Sequence, residues 1–441
     1  MIRSLLFALT TGAILISCSE AIAQSPLDTA EQRELDEQSL RVLSSSQVQA
    51  EVDFVTRTFS TDAYAQTEEG KRILKHAVDE VVYAGVVDSI NRDPARPRLQ
   101  WLWAPAHTAS GIAIPASKVL MPNVDNVFRI FPVDNRHHYR LTAHPTGPVP
   151  TQFSLQLLPA LPGEESWSKV IQEVVDTDIH AEADGSFTLT IGPEPVAGGL
   201  NRIETNENAH FILIRDTIQD WSRETPYRLE LTTLDGLASN SPNDDATLAR
   251  QAAQRIQQIA PRILQSKGGG IAGLPGFYQG PPNQLAAPRV REGGRWGLAT
   301  SGHFRLADDE ALVLTLDPIG TKYVAVQLAS GWLSSLDYVH RTASLNLAQA
   351  KTNPDGTLTL VVAPKDPGVA NWLDTTGLHE GTIFVRWQKL PESLDAHALG
   401  IRSVALVKVK DLDPVLPRLS PEEREAQQEA RATAYSRRSA N

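Results

Sequence analysis

Between Trp332 and Arg386 the sequence gathers side chains able to act on a small molecule: Trp332, Asp337, Tyr338, His340, Trp372, Asp374, His379, Glu380 and Arg386. Histidine titrates near neutrality and can pass protons to and from a substrate. His340 and His379 are therefore candidate catalytic groups, with Asp337, Asp374 or Glu380 as the partner acid or base. In a strand from Leu336 to Arg341, Tyr338 and His340 share one face while Asp337 and Arg341 share the other. A partly buried Asp374 would have its pKa raised, and Arg386 or Arg341 offers a guanidinium fork that matches a carboxylate. Trp332 and Trp372 provide rigid faces for a sugar or a flat apolar ligand, with Tyr338 beside them. The candidate ligand-binding set is Trp332, Tyr338, Trp372 and Arg386. Each also has a plain structural reading: the aromatics as core, His340 as a solvated neighbour, Arg386 as the partner of a carboxylate.

The elements that must position these groups are announced by an internal repeat. Asp184-Gly185-Ser186-Phe187-Thr188-Leu189 is echoed by Asp355-Gly356-Thr357-Leu358-Thr359-Leu360, a turn dipeptide opening a strand in each copy. Each copy then passes through Asn201-Arg202-Ile203-Glu204-Thr205 or Asn371-Trp372-Leu373-Asp374-Thr375 to a strand ending at Arg215 or Arg386. The expected fold is mainly β: two related β-sandwich or jelly-roll-like modules with an N-terminal helical segment and a linker helix. Features in both copies belong most simply to the scaffold, with Asn capping a turn, the acid and Thr satisfying backbone donors, and Arg pairing with a carboxylate. Those unique to the second copy are the better functional candidates.

The chain has 441 residues, 41 Lys plus Arg against 52 Asp plus Glu, a formal charge of −11, 41% hydrophobic residues and one Cys. That balance excludes a disulfide scaffold, a cysteine-ligated metal site and a generally basic nucleic-acid binder. Residues 1–23 read as a secretory leader: Arg3, an apolar stretch from Leu5 to Ile16, then Ala21-Ile22-Ala23. Ordinary cleavage there competes with Leu15-Ile16-Ser17-Cys18, which resembles a lipoprotein box with Cys18 as the acylated residue. The expected location is thus the periplasm or the exterior, with an outer-membrane lipoprotein as the alternative. Residues 24–98 form a helical lead-in, with Ile73, Val78, Val81, Val82 and Val86 at helical spacing between Thr67 and Pro94. Residues 99–238 are the first module, 239–270 a linker helix from Asp244 to Gln265 with a glycine terminator at Lys267-Gly268-Gly269-Gly270, and 271–412 the second module. A polar helix or tail, capped at Ser420 and expected to fray, closes the chain over 413–441.

One family resembles the second module. Trp332-Leu333-Ser334-Ser335-Leu336-Asp337-Tyr338, Ser344-Leu345-Asn346, Asp366-Pro367-Gly368-Val369-Ala370-Asn371-Trp372-Leu373-Asp374-Thr375-Thr376-Gly377 and Phe384-Val385-Arg386-Trp387 look like the bacterial domain of unknown function catalogued as number 1214 (DUF1214), over residues 271–392. Upstream, Val124-Asp125-Asn126-Val127-Phe128-Arg129 resembles the Asn-Pro-Asp-Asn-aromatic segment of longer members, with Val124 where the family has Pro. The resemblance implies a β-sandwich or jelly roll and a bacterial origin, and it brings no catalytic residues.

No zinc helix, nucleophile elbow, phosphate loop or dinucleotide fingerprint occurs. Adjacent His137 and His138 would point to opposite faces of a strand, so no metal or other cofactor is assigned. The sequence therefore points to an exported protein that binds a small organic or carbohydrate ligand in its second module. The alternative is a periplasmic hydrolase or lyase using the His and Asp residues there. No nucleic-acid partner and no transmembrane segment are expected.

Overall fold

The paired Asp-Gly dipeptides are turns of one construction. In the computed structural model, which describes residues 25–161, 163–164, 169–194, 200–236, 241–269, 276–290, 297–392 and 400–437, Asp184 Oδ1 accepts from the backbone and hydroxyl of Ser186 at 2.9 and 2.6 Å. Asp355 Oδ1 does the same for Thr357 at 3.0 and 2.7 Å. Gly185 and Gly356 follow at φ +81° and +83°, a region that a Cβ disfavours. The stretch expected to be a leader, Cys18 included, lies outside the described residues.

Helices α1 (Ala30–Leu43), α2 (Ser46–Ser60) and α3 (Glu68–Val87) open the chain. Ten of the first module's strands follow: β1 (Gln100–Leu102), the hairpin β2 (His107–Ala109) and β3 (Ile112–Ile114), then β4 (Asn126–Pro132), β5 (Tyr139–His144), β6 (Gln152–Leu158), β7 (Gln172–Val175), β8 (Phe187–Gly192), β9 (Asn201–Glu204) and β10 (Phe211–Thr217). Strand β11 (Arg228–Thr233) ends the module and α4 (Asp245–Gly269) follows. The second module comprises β12 (Gln284–Leu285), β13 (Arg289–Val290), β14 (Gly297–Arg305), β15 (Glu310–Leu316), β16 (Tyr323–Ala329), β17 (Ser344–Asn346), β18 (Leu358–Ala363), β19 (Trp372–Asp374), β20 (Glu380–Gln388) and β21 (Ile401–Lys408). Helix α5 (Pro421–Ser436) completes the described chain.

The sheets repeat strand for strand. One sheet runs β1-β4-β10-β6-β7 in the first module and β12-β14-β20-β16-β17 in the second, with β13 also on β14; the other runs β11-β5-β8-β9 and β21-β15-β18-β19. The last pair is parallel in both, β8 with β9 and β18 with β19. Alternate residues of the two sheets share one core in each module, for example Phe131, Leu141, Leu155 and Leu189, or Leu314, Val326, Leu360 and Val385. The fold is mainly β, as two related sandwiches.

Duplicated side chains explain why the copies fold alike. Asn201 accepts from the His180 amide at 2.8 Å and donates to the carbonyls of His180 and Thr188. Asn371 treats Lys351 and Thr359 the same way. Arg215 reaches the Gln156 amide oxygen at 2.7 Å and Arg386 that of Gln327 at 2.9 Å, so in both copies this guanidinium donates to a glutamine of the neighbouring strand. The Thr205 and Thr375 hydroxyls are buried with no hydrogen-bond partner among the described residues, contrary to the expected backbone-satisfying role. Glu204 and Asp374 also diverge, the first mostly exposed and the second fully buried.

Helix α4 does more than join modules. Leu248, Ala252, Ile256, Ile259 and Ile263 pack into one core with Val55, Phe59 and Val81 of the lead-in helices. It crosses α3 at Gly85, where a Cβ would meet Ile256 Cγ1 at 2.4 Å. Beside that crossing, Arg255 donates twice to Asp88 at 2.9 and 2.8 Å, both buried. The helix runs past Gln265 to Gly269 because Lys267 is held by Asp62 and lies over the Tyr278 ring. Helix α5, expected as a frayed polar tail, is docked against both modules. Arg424, Arg431 and Tyr435 form one buried face: Arg424 binds Asp366 at 3.0 Å, Arg431 reaches the Tyr338 carbonyl and the Ser344 hydroxyl, and Tyr435 packs on Trp221. No helix among the described residues is long and apolar enough to cross a membrane.

Because the two Asn clamps are built alike, Asn201→Ala and Asn371→Ala should each lower unfolding free energy by about 2–3 kcal/mol through unpaired buried backbone groups. Urea unfolding checks this; a large loss for only one of them would mean the clamps are not equivalent.

Candidate functional site

A cavity of about 480 Å³ opens where α3 faces the second module. Helix α3 contributes Arg72, Ile73, His76 and Ala77, two i,i+4 pairs side by side on one face. A second wall comes from the strand-poor segment around Ala116 and Lys118, and a third from Ser334 through Arg341 with Thr376 and Leu378. Three of the expected residues, Asp337, Tyr338 and His340, are among its lining.

Their arrangement differs from the expected strand. Asp337 Oδ1 accepts from the amides of Val339 and His340 at 3.1 and 3.0 Å, which folds Leu336–Arg341 into a side-chain-capped turn. Tyr338 consequently turns inward and is buried against Trp221 and Tyr435. His340 points to the rim, with Nδ1 3.2 Å from both Asp337 oxygens and 71% of its side chain exposed. This Asp-His pair is the one candidate acid-base couple that the structure brings together at the cavity.

Asp374 lies behind the wall. Its carboxyl accepts from Arg341 Nε at 2.6 Å and from the Thr376 amide at 2.7 Å. Burial raises its pKa while Arg341 pulls it down, and the net direction is upward as expected. Its oxygens nevertheless serve to fix Arg341 at the cavity edge. His379 is outside the cavity lining, clamped between Glu69 of α3 and Asp308, the latter at 2.8 Å. Those two hydrogen bonds raise its pKa above the ordinary value. Glu380 pairs with Arg305 at 3.0 Å.

The remaining candidates are structural. Trp332 is fully buried, stacked on Phe59 at 5.1 Å, with Nε1 donating to Asp62 at 3.1 Å. Trp372 packs in a different cluster beneath α5 and donates to the Ala363 carbonyl at 3.0 Å. Arg386, also buried, donates to Gln327 and to the Met121 carbonyl at 2.9 Å each. None of the three faces the cavity; each is core or inter-element glue, because a large side chain on an inward-facing position is covered by the next layer.

Sequence reasoning missed Lys118, Arg72, His76 and Ser334. Lys118 forms a buried ion pair with Glu80 at 2.8 Å, and its signal was a lone cation inside the otherwise small and apolar run Ala116-Ser117-Lys118-Val119-Leu120. The α3 residues share a helix face, but that face points at a module far along the chain. Among the described residues no three His, Cys, Asp or Glu side chains group as a metal site.

No family model matches the chain, and no curated protein does. Solved structures do resemble it. An uncharacterized protein from Burkholderia cenocepacia is 26% identical, with a TM-score of 0.64 over 85% of this chain and 100% of its own. The VPA0106 protein from Vibrio parahaemolyticus is 9% identical, with a TM-score of 0.39 over 65% and 89%. The first likeness extends across helices and both modules and carries no activity with it.

Trp332→Ala should cost about 3–5 kcal/mol of stability, the range for emptying a buried aromatic site, and not act through ligand affinity; denaturant unfolding measures it. The His379 clamp gives a pH signature. A histidine with a raised folded pKa stabilises fully below about pH 6.5, and that contribution is lost as pH rises through the folded value. With 40% of the side chain exposed, the effect is less than about 1 kcal/mol. The melting-temperature gap between the unaltered chain and His379→Gln should therefore narrow from about pH 6 to about pH 9; a gap independent of pH would refute the clamp.

Proposed function

We propose that this is an exported, DUF1214-like protein that binds a small organic molecule in the cavity between α3 and the second module. The observation that carries the reading is the cavity itself: about 480 Å³, within the range of small-molecule sites, with a largely apolar wall and a few charged groups. The leader-like start of the chain supports export, and Ala21-Ile22-Ala23 favours ordinary cleavage over an anchor at Cys18. The net charge of −11 speaks against a nucleic-acid partner. A carbohydrate is the less favoured ligand, because the two tryptophans that would stack on a sugar are buried elsewhere.

The hydrolase or lyase alternative rests on one observation, the Asp337–His340 couple at 3.2 Å on the cavity rim. A carboxyl that orients an imidazole is the arrangement a general base requires.

A thermal-shift screen against organic acids, alcohols and sugars tests both. A ligand at 100 times its Kd should stabilise by about 2.7 kcal/mol. Val339→Trp, which fills the cavity at a half-buried position, should abolish that shift, measured against the variant's own unliganded melt. Each hit is then followed for conversion: turnover lost in His340→Gln with binding retained assigns the enzyme reading, and binding without turnover assigns the binder. A shift that survives Val339→Trp would remove the cavity from the proposal.

A further inference from the structure

The polar groups of the cavity are donors whose capacity is only partly used. Arg341 meets Asp374 through Nε alone, so its two terminal nitrogens remain for another acceptor. Lys118 is 8% exposed at its side chain, yet its ammonium has one described partner, Glu80, for three N–H groups. The Ser334 hydroxyl is buried in the wall with no hydrogen-bond partner among the described residues. A buried hydroxyl left without a partner is unfavourable, a cost that a bound ligand would recover.

Of the acceptors in the same wall, all but one Glu80 oxygen are occupied. Glu80 Oε1 takes Lys118, and its Oε2, without a hydrogen bond, has His76 at 3.9 Å. Both Asp374 oxygens are taken by Arg341 and the Thr376 amide. Asp337 is committed to two amides and to His340. A ligand entering here meets guanidinium, ammonium and hydroxyl donors, with the exposed Arg72 and His76 at the mouth. Facing them are Ile73, Ala77, Pro105, Ala116, Leu336 and Leu378, which suit a hydrocarbon or single-ring body.

Resting on the small-molecule reading above, we propose that the ligand is an amphipathic organic anion, its carboxylate held by Lys118, Ser334 and Arg341 and its apolar body against the α3 wall. The two buried acids behind the site act as supports: Glu80 and Asp374 hold the cations in place without reaching the ligand. Neutral alcohols of the same body fit the apolar wall but leave the donors unanswered, and amines are repelled by them.

Isothermal titration of the purified chain with decanoate, decanol and decylamine at about pH 7.5 tests this. Decanoate should bind at least about tenfold tighter than decanol, the factor that about 1.4 kcal/mol from a charge-assisted hydrogen bond supplies, and decylamine should not bind measurably. Ser334→Ala should weaken decanoate several-fold with an unchanged or higher melting temperature, since it removes an unpaired buried hydroxyl. The double variant Arg341→Gln with Asp374→Asn removes one of the two cations without stranding a buried acid, and should weaken decanoate several-fold while leaving decanol binding unchanged. Equal binding of decanoate and decanol, both blocked by Val339→Trp, would overturn the anion inference and leave the cavity reading standing. Binding of neither, or decanoate binding that Val339→Trp does not touch, would sink both.

Discussion

The two modules meet around one buried carboxyl group. Asp125, 1% exposed, accepts from Trp221 Nε1 at 2.7 Å in its own module and from Asn346 Nδ2 at 3.1 Å and the Tyr323 hydroxyl at 2.6 Å in the other. An acid buried without donors costs several kcal/mol. The first module's Pro122–Asn126 segment is therefore at ease only when the second module is seated on it. Around this point Asn123 bonds Tyr323 at 3.0 Å and Gln152 bonds Gln388 at 2.9 Å. Burial and the neighbouring Asp125 both drive the Tyr323 phenol upward, so it stays a donor at any ordinary pH.

The cavity inherits its geometry from that joint. Leu120 and Met121 sit at φ +63° and +54°, and Leu333 opposite them at +60°. Backbone of this kind costs about 1 kcal/mol or more per residue and persists where the surroundings over-determine it. They do so here: the Met121 amide donates to the Leu333 carbonyl at 3.0 Å, and its own carbonyl accepts from Arg386. The same strap sets Lys118 in the wall, its carbonyl accepting from the Ser335 amide at 3.2 Å. An arginine shared by both copies as scaffold thus becomes, in the second, the group that shapes the neighbourhood of the cavity.

Local features were legible in the sequence. The Asp-Gly turns, the Ser420 cap and the hydrophobic face of the lead-in are encoded within a few residues of themselves, and the duplication made the turns and the Asn pair visible twice. Long-range partners were not. Trp332 looked like a ligand platform because nothing nearby says that Phe59 will stack on it. The polar pattern of α5 hid a docking face, since its buried groups are guanidinium heads whose partners lie about 55 to 95 residues upstream. The Leu336–Arg341 turn was taken for a strand because Asp337 competes with alternation by bonding its own downstream amides. Of the candidate site, Asp337, Tyr338 and His340 could be singled out by residue type but not the pairing of Asp337 with His340, whereas Lys118 and Ser334 needed the fold.

The paired asparagine clamps also bear on how the chain avoids misassembly. Two halves with one strand order invite exchange, each strand having a double in the other half. Asn201 and Asn371 fasten to partners only 21 and 20 residues away, whereas the equivalent groups of the other copy are a whole module distant. Loop closure costs about 0.6 kcal/mol per doubling of length, so pairing within a copy is favoured by roughly 2 kcal/mol before any core forms. The short reach of each clamp thereby weights the balance toward strands pairing within their own copy.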